Sequence, residues 1–486
     1  MVRDVRMHTS EGFTPGLRGP GSGSTATREL TTIVRAARRS GRVATTAKAL
    51  AAFALVLATS SDALAQRSLD AQNRVVQSNL PPAAGERGGP GLAIKAKKIL
   101  TVPYEGEQFV DNAVLVVKDG KIEAVGPART TPIPAGYQVL DVGDHWLMPG
   151  FVDLHSHVGG TFDINDTVYL TNPGLRVQTS VVPANEMFKV AVAGGVTSVL
   201  YIPGSGVNCG GQGILLKTGL EHFEEARIRM PGSLKIAQAG NPEGWTVGVG
   251  RSLMNWNTRD MLKRGKAYAL RWKAFEEGRG EKPERDLEHD VFRDLEAHRT
   301  QISTHTQMYQ VVMTTITMLS REFGFSVYID HGEMAGYKAS ELAQENNVNA
   351  IVGPREIEIP TRQFIQWTGS NPEAILGIAA EYRKRGMKDV GFNTDAPVVP
   401  QEELLVQATT AARYGFPTRD LDTVRGLTII PARTAGISDR VGCLQPGRDA
   451  DVLVIVGDPA DPRCAVDTVF IEGKKVYDTA LERRRW

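Results

Sequence analysis

Eight short apolar segments, several of them separated by helical patterns, run through the middle of this 486-residue chain. In order they read GFVDLHSH, VTSVLYIPG, GILLKTG, SLKIAQAG, TQISTHT, SVYIDHG, NAIVGP and DVGFNTD. Helical patterns such as NEMFKVAVAGG and YQVVMTTITMLSREFG lie between several of them. Strands that alternate with helices build parallel sheets, and eight such units are typical of a closed barrel. The sequence therefore predicts an α/β fold in which residues 149–426 form a (β/α)8 TIM barrel.

Further strand patterns flank this middle region on both sides. Before it stand IKAKKILTV, AVLVVKDGKIEAVG and QVLDVGDHWLMP, and after it stand DADVLVIVGDP and TVFIEGKKVYD. The Asp-Gly pair inside the second segment predicts a hairpin turn. Neither flank is large enough to bury a core alone. We therefore expect residues 92–148 and 427–486 to combine into one small β-sandwich domain, with the barrel inserted between its halves.

The N-terminal residues 1–65 have the composition of an export leader. A basic stretch up to Lys48 precedes an apolar run from Ala49 to Ala58, and the tripeptide Ala-Leu-Ala at 63–65 precedes Gln66. This order is typical of a signal peptide with a small-residue cleavage site, while an uncleaved amphipathic helix is the alternative. The apolar run is too short for a permanent membrane span. The sequence predicts an exported protein, periplasmic or secreted, whose residues 66–91 form a polar Pro/Gly-rich linker.

Composition excludes several classes of partner and cofactor. The chain has 56 basic and 55 acidic side chains, and this balance gives no electrostatic reason to bind nucleic acid. No segment besides the leader approaches the apolar length of a membrane span. The cysteines Cys209, Cys443 and Cys464 are too few for a disulfide framework or a cysteine metal cluster, although one disulfide stays open. A small-molecule substrate is the expected partner, and a homo-oligomer is left open.

Polar side chains gather at the ends of the predicted barrel strands. Active sites of this fold lie where the carboxyl ends of the strands converge. Four of the nine histidines fall there, together with one aspartate and one lysine. Neutral imidazole and carboxylate are common ligands of zinc and similar metals. The residues concerned are His155 and His157 on strand one, Lys235 on strand four, His305 on strand five, His331 on strand six and Asp395 on strand eight.

These motifs together resemble the amidohydrolase superfamily. The resemblance rests on PGFVDLHSH, the later single histidines, the strand-eight aspartate and the terminal GRDADVLVIVGDP, and it extends from about Gly91 to Tyr477. Its imidazolonepropionase-like and prolidase-like members are the most similar. The resemblance implies a metal-dependent hydrolase with one or two divalent ions, zinc above all, although other divalent metals are open.

The resemblance also implies roles for individual residues. It implies that His155, His157 and Asp395 hold one metal ion, and that His305 and His331 hold a second. In relatives with a single ion, the strand-six histidine contacts the substrate instead, so His331 is a candidate catalytic residue as well as a ligand.

Two lysines compete for a bridging role between the two metals. In many binuclear relatives a lysine on strand four, carboxylated by CO2, bridges the ions, and Lys235 occupies that position. Lys217, near the end of strand three, is the rival. An ordinary buried or acid-paired lysine is the alternative for Lys235.

The implied reaction is hydrolysis of a carbon–nitrogen bond by metal-activated hydroxide. Asp395 is expected to accept the proton of the attacking water and to pass it to the leaving nitrogen. An amide, cyclic amide or peptide-like bond fits this chemistry. Two alternatives stay open, namely a prolidase-like Xaa-Pro dipeptidase and a non-catalytic protein that keeps the fold as a binding scaffold.

Overall fold

The structure is a computed structural model that describes residues 91–161, 164–245, 250–369 and 374–482. The predicted leader and nearly all of the predicted linker lie outside these residues. Within the described part of the chain, no helix has the length and apolarity needed to cross a bilayer. Cys209, Cys443 and Cys464 are all free thiols.

The described segments alternate between strands and helices, so the predicted mixed α/β class is confirmed. The strands are β1 Leu92–Leu100, β2 Phe109–Lys118, β3 Lys121–Pro127, β4 Gln138–Asp141, β5 Trp146–Pro149, β6 Phe151–Ser156, β7 Val196–Tyr201, β8 Cys209–Lys217, β9 Arg227–Ala237, β10 Ile302–His305, β11 Ile329–His331, β12 Ala350–Val352, β13 Ile357–Glu358, β14 Leu376–Gly377, β15 Val390–Phe392, β16 Val452–Val456, β17 Ala465–Ile471 and β18 Lys474–Asp478. The α-helices are α1 Glu186–Ala193, α2 Phe223–Ala226, α3 Asn241–Trp245, α4 Arg251–Glu276, α5 Val291–Glu296, α6 Tyr309–Thr315, α7 Ser340–Glu345, α8 Arg362–Thr368, α9 Ile378–Lys384, α10 Leu404–Arg413, α11 Asp422–Leu427 and α12 Ile429–Thr434.

Both ends of the chain contribute to one eight-stranded sheet. Its order is β18-β17-β16-β5-β1-β2-β3, and β4 also pairs with β1. The two ends meet where β16 runs antiparallel to β5, with Val452 opposite Pro149. The Asp-Gly turn joins β2 to β3, and Asp119 and Gly120 both have positive φ, as a tight primed hairpin turn requires.

The eight apolar segments predicted from the middle of the sequence are β6–β12 and β15. Five of them form a sheet in the order β10-β9-β8-β7-β6, and three form a sheet in the order β11-β12-β15. Isolated bridges connect the sheets at both edges, between Thr306 and His331 on one side and between Ser156 and Ala396 on the other. Every residue of β6 and β7 is buried, as expected for strands that are covered on both faces.

One strand departs from the strict alternation of a (β/α)8 unit. β8 runs antiparallel to both β7 and β9, whereas the other neighbouring pairs among the central strands are parallel. The cause is the connection between β7 and β8, which consists only of residues 202–208. A parallel crossover needs a dozen or more residues, so a connection of this length joins antiparallel neighbours. The beginning of β8, not its end, therefore lies level with the carboxyl ends of β7 and β9.

Candidate metal centre

His155 and His157 come together at the carboxyl end of β6. His155 is the fifth residue of the strand, His157 follows its end, and their Nε2 atoms lie 3.2 Å apart. The alternation of side chains along an extended strand places both imidazoles on one side, as the H-x-H spacing predicts. His155 is fully buried, and the side chain of His157 is 10% exposed.

Asp395 and Lys235 reach the same pair of histidines from other strands. Asp395 follows β15, and its Oδ1 lies 3.1 Å from His155 Nε2 and 3.2 Å from His157 Nε2. Lys235 lies in β9, is fully buried, and places its Nζ 3.2 Å from His155 Nε2. Three of the other five predicted side chains thus converge on the Nε2 atom of His155.

His305 and His331 complete the group from β10 and β11. The centroid of the His331 ring lies 4.3 Å from that of His305 and 4.6 Å from that of His155. Both side chains are buried, and neither His305 Nε2 nor His331 Nε2 has a hydrogen-bond partner among the described residues. All six residues predicted from the sequence therefore lie in one cluster.

The Nδ1 atom of each of the four imidazoles is engaged by the protein. His155 Nδ1 lies 2.9 Å from Asp330 Oδ2, and His305 Nδ1 lies 3.1 Å from Ser205 Oγ. His157 Nδ1 and His331 Nδ1 lie 3.0 Å and 2.9 Å from the carbonyl oxygens of residues 202 and 353. Only Nε2 is left for a ligand in each ring, and metal-binding histidines are oriented in this way.

The pKa shifts in the cluster favour the protonation states in which histidine and aspartate bind metal. Burial lowers the pKa of His305 to about 3 and holds that of His331 well below its usual range, so both rings are neutral, the form that binds metal. Burial also lowers the pKa of Lys235 to about 8. Burial opposes ionisation of Asp395, but His155 and His157 outweigh it and hold the pKa of the carboxyl well below its usual range.

His155 differs from the other three imidazoles. Burial favours its neutral form, but the charges of Asp330 and Asp395 and the hydrogen bond to Asp330 together outweigh burial and raise the pKa of His155 to about 9. The ligand atoms of His155, His157 and Asp395 lie within 4.8 Å of one another. This donor set of imidazole nitrogens and a carboxylate, with the unpartnered Nε2 atoms of His305 and His331 beside it, fits a divalent metal ion.

The backbone is strained at two of the six residues. His331 has φ 70° and Asp395 has φ 49°, both in the left-handed region that side chains other than glycine rarely adopt. Such strain costs on the order of 1 kcal/mol or more at each residue and persists only where the surroundings enforce it. Asp330 supplies part of that enforcement, since its Oδ1 accepts hydrogen bonds from the backbone N–H of His331 and from Asn393.

Two buried aspartates support the cluster and were not predicted. Asp330 orients His155, as described above. The Oδ2 atom of Asp153 accepts hydrogen bonds from Thr394 Oγ1 at 2.6 Å and from Gln401 Nε2 at 3.1 Å, so it ties β6 to the residue before Asp395. Burial raises the pKa of Asp153 to about 6. The available signal was an acidic residue one or two positions before a histidine, in YIDH and in FVDLH.

Lys217 lies away from the cluster. Because β8 is antiparallel, its last residue is at the opposite end of the strand from Gly211, the residue that pairs with Lys235. Lys217 Nζ lies 2.7 Å from Asp449 Oδ2, 2.9 Å from Asp451 Oδ1 and 3.3 Å from Glu472 Oε1. The structure therefore removes Lys217 as the rival bridge and places it in a buried ion-pair network with the terminal D-A-D motif.

Comparisons with known proteins show which family this chain resembles. The family model described as Amidohydrolase family matches residues 378–476. Amidohydrolase tasK of Hapsidospora irregularis is 24% identical over 409 residues, which are 77% of this chain and 40% of that protein. The chain thus spans less than half the length of this relative. An imidazolonepropionase of Sphingopyxis alaskensis is 22% identical over 391 residues, 75% of this chain and 91% of that protein.

One solved structure of an amidohydrolase is similar to most of this chain. The crystal structure of an amidohydrolase from Thermotoga maritima MSB8 superposes with a TM-score of 0.69 and 29% sequence identity. The similarity covers 80% of this chain and 100% of that one.

Proposed function

Because this chain belongs to the amidohydrolase superfamily, we propose that it hydrolyses carbon–nitrogen bonds and that this activity depends on divalent metal held by the histidine cluster. The observation that carries the proposal is the orientation of the four imidazoles. Each Nδ1 is engaged by protein, and the Nε2 atoms of His305 and His331 are buried without a partner among the described residues. Buried polar atoms are rarely left unsatisfied in this number without a ligand to complete them.

The assignment of ligands follows the contacts. His155, His157 and Asp395 would hold one ion, and His305 and His331 would hold a second. Zinc is our proposed metal, since imidazole nitrogen and carboxylate oxygen are among its usual ligands. When bound, such an ion supplies Lewis acidity, which acidifies water and polarises the carbonyl of the substrate.

Lys235 is our candidate for a carboxylated bridge. Its Nζ lies 3.2 Å from His155 Nε2, and its side chain has no acidic partner within ion-pair distance in the described residues. After loss of a proton, which the lowered pKa of Lys235 favours, the neutral amine would add to CO2 and release a second proton to give a carbamate. The carbamate would present two carboxylate oxygens and would remove the repulsion between a buried cation and the metal site. Lys217, by contrast, is already neutralised by three carboxylates.

Asp395 is our proposed proton carrier. The carboxylate is ionised at neutral pH and held by His155 and His157, so it can accept the proton of the attacking water at a fixed position. The same oxygen then donates this proton to the leaving nitrogen as the carbon–nitrogen bond breaks. His331 is the second catalytic candidate, because its buried Nε2 is available to the metal or to the substrate carbonyl.

Metal analysis combined with a substrate screen tests the proposal. The full-length chain, expressed with added zinc, is assayed for bound metal and for hydrolysis of N-acyl amino acids, dipeptides, hydantoins, lactams and lactones. We expect roughly one or two equivalents of metal, and turnover that is lost on chelation and restored by metal. Less than about half an equivalent would favour the non-catalytic scaffold instead. Release of free amino acids from Xaa-Pro dipeptides alone would favour the dipeptidase alternative.

Two further aspects of the molecule are part of the proposal. We infer that the eight central strands close a barrel, with the shared terminal sheet as part of a β-sandwich, supported by the bridges at both edges of the central sheets.

We also infer export, which rests on the leader sequence alone. Periplasmic protein whose first residue is Gln66 is the expected result of N-terminal sequencing, and recovery of full-length chain from the cytoplasm would contradict it.

A further inference from the structure

Glu356 is a buried carboxyl group without a hydrogen-bond partner in the described part of the chain. The residue is 3% exposed, and neither Oε1 nor Oε2 has a partner among the described residues. Burying a carboxyl group without hydrogen-bond partners costs free energy, because the group loses its hydration and gains no hydrogen bond to replace it. A group of this kind in a folded protein calls for a ligand or a functional reason.

Two neighbouring glutamates are equally buried but are satisfied. Glu333 accepts hydrogen bonds from the backbone N–H and the guanidinium of Arg355, both at 3.0 Å. Glu358 accepts from the backbone N–H of residue 335 at 2.6 Å and from Tyr337 Oη at 3.2 Å. The missing partners of Glu356 are therefore a local property of this side chain and not a general feature of the loop.

Sheet order places Glu356 beside the histidine cluster. Glu333 follows β11, Glu356 follows β12 and Asp395 follows β15, and these three strands are parallel with β12 in the middle. The Nδ1 atom of His331 lies 2.9 Å from the carbonyl oxygen of Gly353, three residues before Glu356. Glu333 accepts a hydrogen bond from the backbone N–H of Arg355, the residue next to Glu356. Burial and then the charge of Glu333 raise the pKa of Glu356 well above its usual range.

We propose that Glu356 and Glu333 form a subsite for a cationic group of the substrate, an ammonium or a guanidinium, adjacent to the reacting centre. The inference rests on the proposed function and specifies its substrate class. Such a group brings several N–H donors and a positive charge, which are what the two oxygens of Glu356 lack. A metal ion is disfavoured here, since none of the groups of three or more potential ligand residues among the described residues includes either glutamate.

Binding of matched neutral and cationic probes tests the subsite without any turnover. The zinc-loaded full-length protein is titrated by calorimetry with N-acetyl-L-argininamide and N-acetyl-L-citrullinamide, which differ by the charge of the side chain. A second pair, L-norleucinamide and N-acetyl-L-norleucinamide, differs by the charge of the α-amine. We expect at least tenfold tighter binding of the cationic member in one of the two pairs, and that pair identifies the source of the cation.

The variant Glu356→Gln keeps the shape of the side chain but cannot ionise to a carboxylate when a cation binds. We expect it to reduce the discrimination between the two probes to less than twofold. Glu358→Gln is the matched control, because that side chain is similarly buried but already has partners, and it should keep the wild-type ratio. Thermal unfolding of each variant checks that it is folded.

Two results would overturn the subsite. One is equal binding within both pairs by the wild-type protein, and the other is unchanged discrimination in Glu356→Gln, which would mean that Glu356 is only a protonated buried acid. If the protein hydrolyses neutral substrates but binds the cationic and neutral probes equally, this inference is wrong and the proposed function stands. If it binds the cationic probe more tightly but hydrolyses no substrate, the proposed function is wrong and the subsite stands.

Discussion

The carboxylate of Asp330 lies 2.9 Å from His155 Nδ1, and both side chains are fully buried. This contact leaves His155 Nε2 facing His157 Nε2, Asp395 and Lys235. Carboxylate–histidine pairs of this kind fix the orientation of a metal ligand and raise its basicity. Asp330 is therefore a positioning residue for the proposed metal centre, because it would act on the site through His155.

Replacement of Asp330 by Asn should weaken metal binding. The amide keeps the size of the side chain but loses the charge that orients His155 and raises its pKa. We expect metal affinity to fall by roughly 10- to 100-fold, measured by competition with a chromogenic chelator. Ser205→Ala, which removes the neutral partner of His305, should have a smaller effect. An affinity within twofold of wild type in Asp330→Asn would argue against the positioning role.

Most of the histidine cluster could be predicted from the sequence because its residues stand at or near the ends of apolar strands. The carboxyl ends of parallel strands meet at one edge of a sheet, so polar side chains placed there are expected to converge. Five strands carry the six residues that meet here. Asp330 and Asp153 escaped prediction because an acid inside a strand does not indicate which side chain it will contact. Glu356 was not predicted either, because no local sequence pattern shows that a buried carboxyl group lacks hydrogen-bond partners.

The direction of β8 shows a different limit of sequence reasoning. Its apolar residues predicted a strand correctly, but apolar runs are the same in parallel and antiparallel strands. The direction was decided by the connection of residues 202–208, and this reversal is what separates Lys217 from Lys235. The length of a connection is therefore as informative about a site as the residues of the strand.

The two lysines should respond differently to replacement. Lys235→Ala should lose most activity and recover part of it with short-chain carboxylic acids, which supply the missing oxygens. Lys217→Met should instead lose roughly 3 kcal/mol or more of unfolding free energy, because it leaves Asp451 buried without its cation and removes one of the cations that pair with Asp449. Steady-state rates with and without acetate, together with urea unfolding, separate the cases. Full activity of Lys235→Ala without rescue would exclude a carboxylated bridge.

Asp395→Asn should separate metal binding from turnover. Its Oδ1 lies within 3.2 Å of two imidazole nitrogens, and an amide oxygen at this position keeps a neutral donor for the metal. The amide cannot accept the proton of the attacking water, so we expect turnover to fall by roughly 100- to 10,000-fold. Metal content by mass spectrometry and rates on the best substrate of the screen provide the measurement. Activity within about threefold of wild type would remove Asp395 as the proton carrier.

The ion-pair network around Lys217 should make stability depend on pH in the acidic range. Burial alone would raise the pKa of Asp449, but Lys217 and Arg440 outweigh it and lower the pKa to about 2. A carboxyl with a lower pKa in the folded than in the unfolded chain stabilises above the unfolded value, near 4, and loses this contribution as pH falls towards 2. Relative to Asp449→Asn, the wild type should therefore lose about 1 kcal/mol more of its unfolding free energy between pH 6 and pH 3. Urea unfolding of both proteins across this range measures the difference. Parallel pH profiles would show that the Asp449 charge contributes nothing to folding.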